Sequence, residues 1–65
     1  MKTQLIKLKD VLALTGLSRS FVYALAQKGE FPKPVKLSER SSAWVEAEVT
    51  EWIECRIALR DQEVA

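Results

Sequence analysis

Apolar side chains recur along this chain of 65 residues in rhythms that change twice. Leu8, Val11 and Leu12 stand three and four apart, the spacing of one helical face. The segment closes on Leu14-Thr15-Gly16, where glycine can take the left-handed conformation that ends a helix. A first helix of about two turns is expected near residues 8–14, with no Ser, Thr or Asp cap at its start. Leu17 leads to Ser18, whose hydroxyl can accept a free backbone N–H of the turn that follows. The spacing then predicts a second helix from residue 19 to 28. Val22 and Leu25 face inward with Phe21 at their edge, while Arg19, Ser20, Tyr23, Ala24 and Gln27 face outward. Gly29 stands where a helix-ending residue belongs.

The helical rhythm then stops. Pro32 and Pro34 each remove a backbone donor and restrict the preceding residue, so this stretch is extended. Val35, Lys36 and Leu37 are expected to alternate in and out, Ser38 to Ser41 to turn, and Ser42 to Trp44 to return as a second strand. Lys36 and Arg40 fall near the tip of this hairpin, whose turn has no Gly or Asn to favour a tight reversal. Helical spacing resumes with Val45, Val49, Trp52, Ile53 and Ile57, predicting a third helix from residue 46 to 59. Glu46 and Glu48 near its start and Arg56 and Arg60 near its end suit the helix dipole. Trp44 and Trp52 read as core anchors by their neighbours, and residues 1–4 and 61–65 as loose ends.

Composition narrows the function classes. With 48% apolar and 29% charged residues, the chain holds one domain over residues 1–65, ordered over about 5–60, with one modest core and no room for a cleft between lobes. Cys55 is the lone cysteine and there is no histidine, so neither an internal disulfide nor a structural zinc site is expected. Cys55 reads as a small, semi-buried apolar residue. No apolar run approaches membrane-spanning length and none reads as a secretory leader, so a cytoplasmic protein without membrane contact is expected. Without a Gly-rich phosphate loop or a paired nucleophile and base, no enzyme activity, catalytic residue, cofactor, metal or small-molecule substrate is expected either.

Net charge is only +1, but it is unevenly spread. Residues 19–44 carry Arg19, Lys28, Lys33, Lys36 and Arg40 against Glu30 and Glu39. Residues 45–65 carry Glu46, Glu48, Glu51, Glu54, Asp61 and Glu63 against Arg56 and Arg60. The middle of the chain can meet phosphates; the acidic tail repels them and reads as a solvated face.

Two short helices joined by a turn of about four residues, the second opened by a capping serine, form the arrangement that lays one helix in the DNA major groove while the other braces it. The chain is therefore expected to be mainly α with a small β-hairpin wing: a winged helix-turn-helix of three helices. Leu8 to Ser20, Val22-Tyr23, Gly29 to Leu37, Trp44 and Glu46 to Ile53, taken in order, resemble the AlpA-type prophage regulators, small winged-helix proteins related to the MerR-type DNA-binding domain and to phage excisionases. The resemblance covers residues 5–55. It implies a cytoplasmic DNA-binding protein that regulates transcription, typically of an integrase or other prophage genes, or directs excisive recombination. Two positions depart from that family. Ala24 stands where a basic residue commonly follows the tyrosine, removing one phosphate contact, and Ser38 and Glu39 stand where many members have glycine in the wing turn.

The candidate DNA-binding residues are Ser18, Arg19, Ser20, Tyr23, Gln27, Lys28, Lys36 and Arg40. Arg19 is placed to read a guanine edge or hold a phosphate, and Lys28 to hold a phosphate. Tyr23 suits either a DNA contact or a ring covering the core edge. Lys36 and Arg40 suit an adjacent minor groove. The expected partner is double-stranded DNA, helped by a second copy of the chain, by cooperative filling of repeated sites, or by an integrase. Two other readings keep the same fold: an adaptor that binds an integrase, repressor or signalling protein, and an architectural excisionase.

Overall fold

A computed structural model of the chain describes residues 3–63. The elements run β1 (Leu5–Ile6), α1 (Leu8–Thr15), α2 (Arg19–Gln27), β2 (Val35–Ser38), β3 (Ser41–Val45) and α3 (Glu46–Glu63). The three helices and the hairpin predicted from spacing are present. Val11, Val22 and Val49, one from each helix, are wholly buried, and with Ile6, Ala26, Phe31 and Trp44 they make the core. Leu8, Leu12, Leu17, Leu25, Trp52 and Ile53 pack around it.

Both glycines end helices as their positions require. Gly16 has φ 74° and its N–H donates to the Leu12 carbonyl. Gly29 has φ 80°. Its N–H donates to Ala26 O at 3.1 Å and that of Glu30 to Leu25 O at 2.8 Å, the pair of bonds that closes a helix on a left-handed residue.

The sheet departs from expectation. Leu5 and Ile6 form a strand that pairs antiparallel with β3, Leu5 opposite Val45 and Ile6 opposite Trp44, giving the order β1-β3-β2. Residue 4, expected to be loose, takes part too: its carbonyl accepts from the Glu46 N–H at 2.8 Å. That bond satisfies a donor at the start of α3, which follows β3 without an intervening loop.

The hairpin turn falls on Glu39 and Arg40, inside the predicted Ser38–Ser41 segment, but the two strands are irregular. Among the described residues none but glycine has positive φ, so the turn is neither of the types that fit the twist of a two-residue hairpin. The register slips between Lys36 and Ser38, leaving Leu37 as an extra residue in β2. The expected alternation of Val35, Lys36 and Leu37 does not occur. All four residues of β2, an edge strand of the sheet, are exposed.

The third helix also outruns its prediction, reaching Glu63 rather than 59. Its buried face ends at Ile53, and every residue from Glu54 to Glu63 is exposed. Ile57, assigned to the inward face by spacing, is 44% exposed, and Cys55 is exposed rather than semi-buried. Both lie in the half of α3 that follows its buried face, and Ile57 lines an open groove beside α2. The described residues of the expected loose end, 61–63, are helical, and residues 1, 2, 64 and 65 lie outside the described range. None of the described helices is long and apolar enough to cross a membrane.

Candidate nucleic-acid interface

The site begins with how α2 is started. Between Thr15 and Arg19 only Gly16, Leu17 and Ser18 intervene, one residue fewer than the expected turn. The Thr15 hydroxyl donates back to Val11 O at 2.8 Å and accepts the Leu17 N–H at 3.2 Å, tying the end of α1 to the turn. Leu17 packs against the core. Ser18 is in extended conformation, and its Oγ accepts the Phe21 N–H at 3.2 Å, the N-cap expected of it. The second helix therefore leaves the body at a fixed angle, with Arg19 as its first residue.

Burial of Val22 and Ala26 sets which way the rest of α2 points. Arg19, Tyr23 and Gln27 are four apart and form one exposed row along the helix. Tyr23 covers the core edge and also stays open to solvent. Its ring sits 6.0 Å from that of Trp44, covering the core edge, while the residue remains 44% exposed. Ser20 and Ala24 lie beside this row and are exposed.

Lys28 is on the opposite flank of α2. It lines a groove between α2 and α3 together with Phe21, Leu25, Ile57 and Arg56. The eight candidates are thus all exposed, but they do not form one patch. Helix α2 carries four of them, Arg19, Ser20, Tyr23 and Gln27, between Ser18 at its N-cap and Lys28 at its C-cap. Lys36 and Arg40 stand on the hairpin, where the Lys36 ammonium donates to the Glu39 carbonyl at 3.3 Å and so folds onto its own turn. Arg40 is exposed at the tip.

Two cations not singled out in the sequence acquire a place. Lys7 donates to Ser41 Oγ at 2.9 Å, bridging the start of α1 to the hairpin. Lys33 lies with Pro34 against Tyr23, Ala26 and Gln27 in a shallow hollow beside α2. Its flanking prolines were the available signal. Only the packed structure shows which helix face it reaches. The acidic residues of α3 are exposed apart from the half-buried Glu46, and among the described residues no three His, Cys, Asp or Glu side chains come together as a metal site.

A helix-turn-helix with a capped and exposed second helix, braced by a third helix and a small antiparallel sheet, is a winged helix-turn-helix module. The family model described as prophage CP4-57 regulatory protein (AlpA) matches residues 4–57. The chain therefore belongs to the AlpA family of prophage regulatory proteins. It is 47% identical over 55 residues to the uncharacterized protein ORF88 of Enterobacteria phage P4, covering 85% of this chain and 62% of that protein. It is 31% identical over 62 residues to the DNA-binding transcriptional activator AlpA of Escherichia coli K12, covering 86% of this chain and 89% of that protein. The chain thus spans less than two thirds of the length of the phage P4 relative.

Proposed function

We propose that this chain binds double-stranded DNA sequence-specifically, as a cytoplasmic, non-enzymatic transcriptional regulator of prophage type, acting on integrase expression or on excision. The observation that carries this reading is the row of Arg19, Tyr23 and Gln27, exposed along a helix whose start is fixed by Ser18 and Gly16. Family membership and the DNA-binding activator of Escherichia coli among its relatives support it. In this reading α2 lies in the major groove, Arg19 and Ser20 reach base edges, Tyr23 and Gln27 reach bases or backbone, and Arg40 with Lys36 approaches the neighbouring minor groove.

A module this small covers only about 600–1,000 Å² of its own surface on DNA. A net charge of +1 adds little long-range attraction. Stable occupancy therefore calls for a second copy, cooperative filling of repeated sites, or a partner such as an integrase. Selection of bound duplexes from a random pool, followed by footprinting, tests the reading. Enrichment of one sequence supports it; failure to enrich any favours the adaptor of the same fold.

Lys28, on the far flank of α2, is read as a phosphate contact. Lys28→Ala is expected to make the dependence of log K on log salt shallower by about one unit, with base preference unchanged. An unchanged slope in a salt titration removes Lys28 from the interface.

A further inference from the structure

The segment from Glu30 to Pro34, which joins α2 to β2, is held more firmly than a connection needs to be. Phe31 is buried, with its ring 4.9 Å from that of Trp52. The Trp52 indole N–H donates to Glu30 O at 2.8 Å, and the Trp44 indole N–H donates to Pro32 O at 3.0 Å. Pro32 and Pro34 restrict the backbone on both sides of Lys33. Two tryptophans and two prolines thus fix a strap whose exposed, charged side chain beyond Glu30 is Lys33.

What Lys33 faces gives the strap a purpose. The hollow it lines with Pro34 is completed by Tyr23, Ala26 and Gln27 of α2. Its polar groups are an ammonium with three donors, a phenolic hydroxyl and a side-chain amide, and no carboxylate lines it. Glu30, the acidic residue of the strap, instead lines the groove on the other side of α2 with Lys28. A cation beside neutral donors, on a fixed backbone and next to the Arg19–Tyr23–Gln27 row, has the chemistry of an anion seat.

We propose that this hollow holds one backbone phosphate of the bound duplex, with the Lys33 ammonium as its cation and the Tyr23 hydroxyl and Gln27 amide as neutral donors. The proposal rests on the DNA-binding reading above. It gives α2 a phosphate contact on each flank, Lys33 on the strap side and Lys28 on the groove side, as expected of a helix lying between two phosphate-lined walls of the major groove. It also replaces from the strap the cation that Ala24 does not provide.

The test uses the full chain and a duplex chosen by selection, with affinities measured by fluorescence anisotropy across a salt series. Lys33→Ala is expected to lower the magnitude of the salt slope by about 0.9 and to weaken all sequences uniformly, because a phosphate contact carries no base information. Lys33→Arg is expected to keep the slope. Single methylphosphonates, which neutralise one phosphate at a time, then locate the contact: at one position the substitution weakens wild type and has no further effect on Lys33→Ala. An unchanged slope, a loss confined to one base pair, or the absence of any such position overturns the proposal while leaving DNA binding intact. If the wild-type chain binds no duplex, the DNA-binding reading fails and takes the phosphate seat with it. Lys33 is exposed, so equal melting temperatures for wild type and Lys33→Ala are expected and separate a lost contact from a lost fold.

Discussion

Arg19→Ala is expected to weaken binding to the preferred duplex by roughly 5- to 150-fold and to flatten base preference at one position, the effect of losing a bidentate contact to a base edge of about 1–3 kcal/mol. The reasoning is positional. Arg19 is the first residue of α2, its side chain is exposed, and Ser18 behind it is held by the bond from the Phe21 N–H. An arginine at the leading end of a recognition helix reaches deepest into the groove. It also carries few structural duties, so its removal leaves the fold unchanged. Competition gel shifts with duplexes altered one base pair at a time distinguish the roles. A loss shared equally by all sequences reassigns Arg19 to a phosphate, and no loss at all removes it from the interface. Arg19→Lys sharpens the comparison, since lysine keeps the charge but not the planar fork.

Trp44→Ala is expected to remove a large share of the protein's stability. Trp44 is 1% exposed and joins three parts of the molecule. It sits in β3 opposite Ile6 of β1, its ring lies against Tyr23 of α2, and its indole N–H holds Pro32 of the strap. Truncating a buried Trp typically costs about 3–5 kcal/mol. A domain of this length has a total stability of about 3–10 kcal/mol at ordinary values per residue. Denaturant titration followed by circular dichroism measures the loss, and a midpoint equal to that of wild type would refute the assignment of Trp44 as the central anchor. Trp44→Phe keeps most of the ring but leaves the Pro32 carbonyl without its donor, at a cost of about 1–3 kcal/mol. That milder variant is expected to stay folded, to loosen the strap, and to bind DNA with the reduced salt slope of Lys33→Ala, which links the stability of the core to the proposed phosphate seat.

The elements that could be read in advance are those whose cause lies within a few residues. Val22 and Val49 are buried where helical spacing puts them, and Trp44 and Trp52 are core anchors as their neighbours indicated. Ser18 caps the third residue after it, and Gly16 and Gly29 take positive φ where the helices stop. These effects act through bonds spanning one helical turn, so they are visible in chain order. The same locality explains why Arg19, Ser20, Tyr23 and Gln27 are exposed: they occupy positions that helical spacing assigned to the outside.

The failures share the opposite cause. Leu5-Ile6 is too short for any periodicity, and it becomes a strand because β3 offers it an edge. Ile57 continues the apolar spacing of α3, but it lines a groove that stays open and leaves it 44% exposed. Val35 and Leu37 alternate in sequence, yet both are exposed on an edge strand whose register slips between Lys36 and Ser38. Periodicity reports which residues share a face; burial of that face needs an opposing surface, which local spacing does not encode.

Along the chain, short-range bonds and helical spacing therefore specify a capped second helix with Arg19 at its head and a polar outward side. They do not specify which cations stand beside it. Lys28 caps the end of α2 yet lines the groove toward α3, and Lys33 belongs to a loop yet lines the hollow at the Tyr23–Gln27 flank. That exchange arises because indole N–H groups from β3 and α3, remote in sequence, pin the strap against the core. The capped second helix is a local outcome, and the surroundings proposed to hold a phosphate depend on long-range packing.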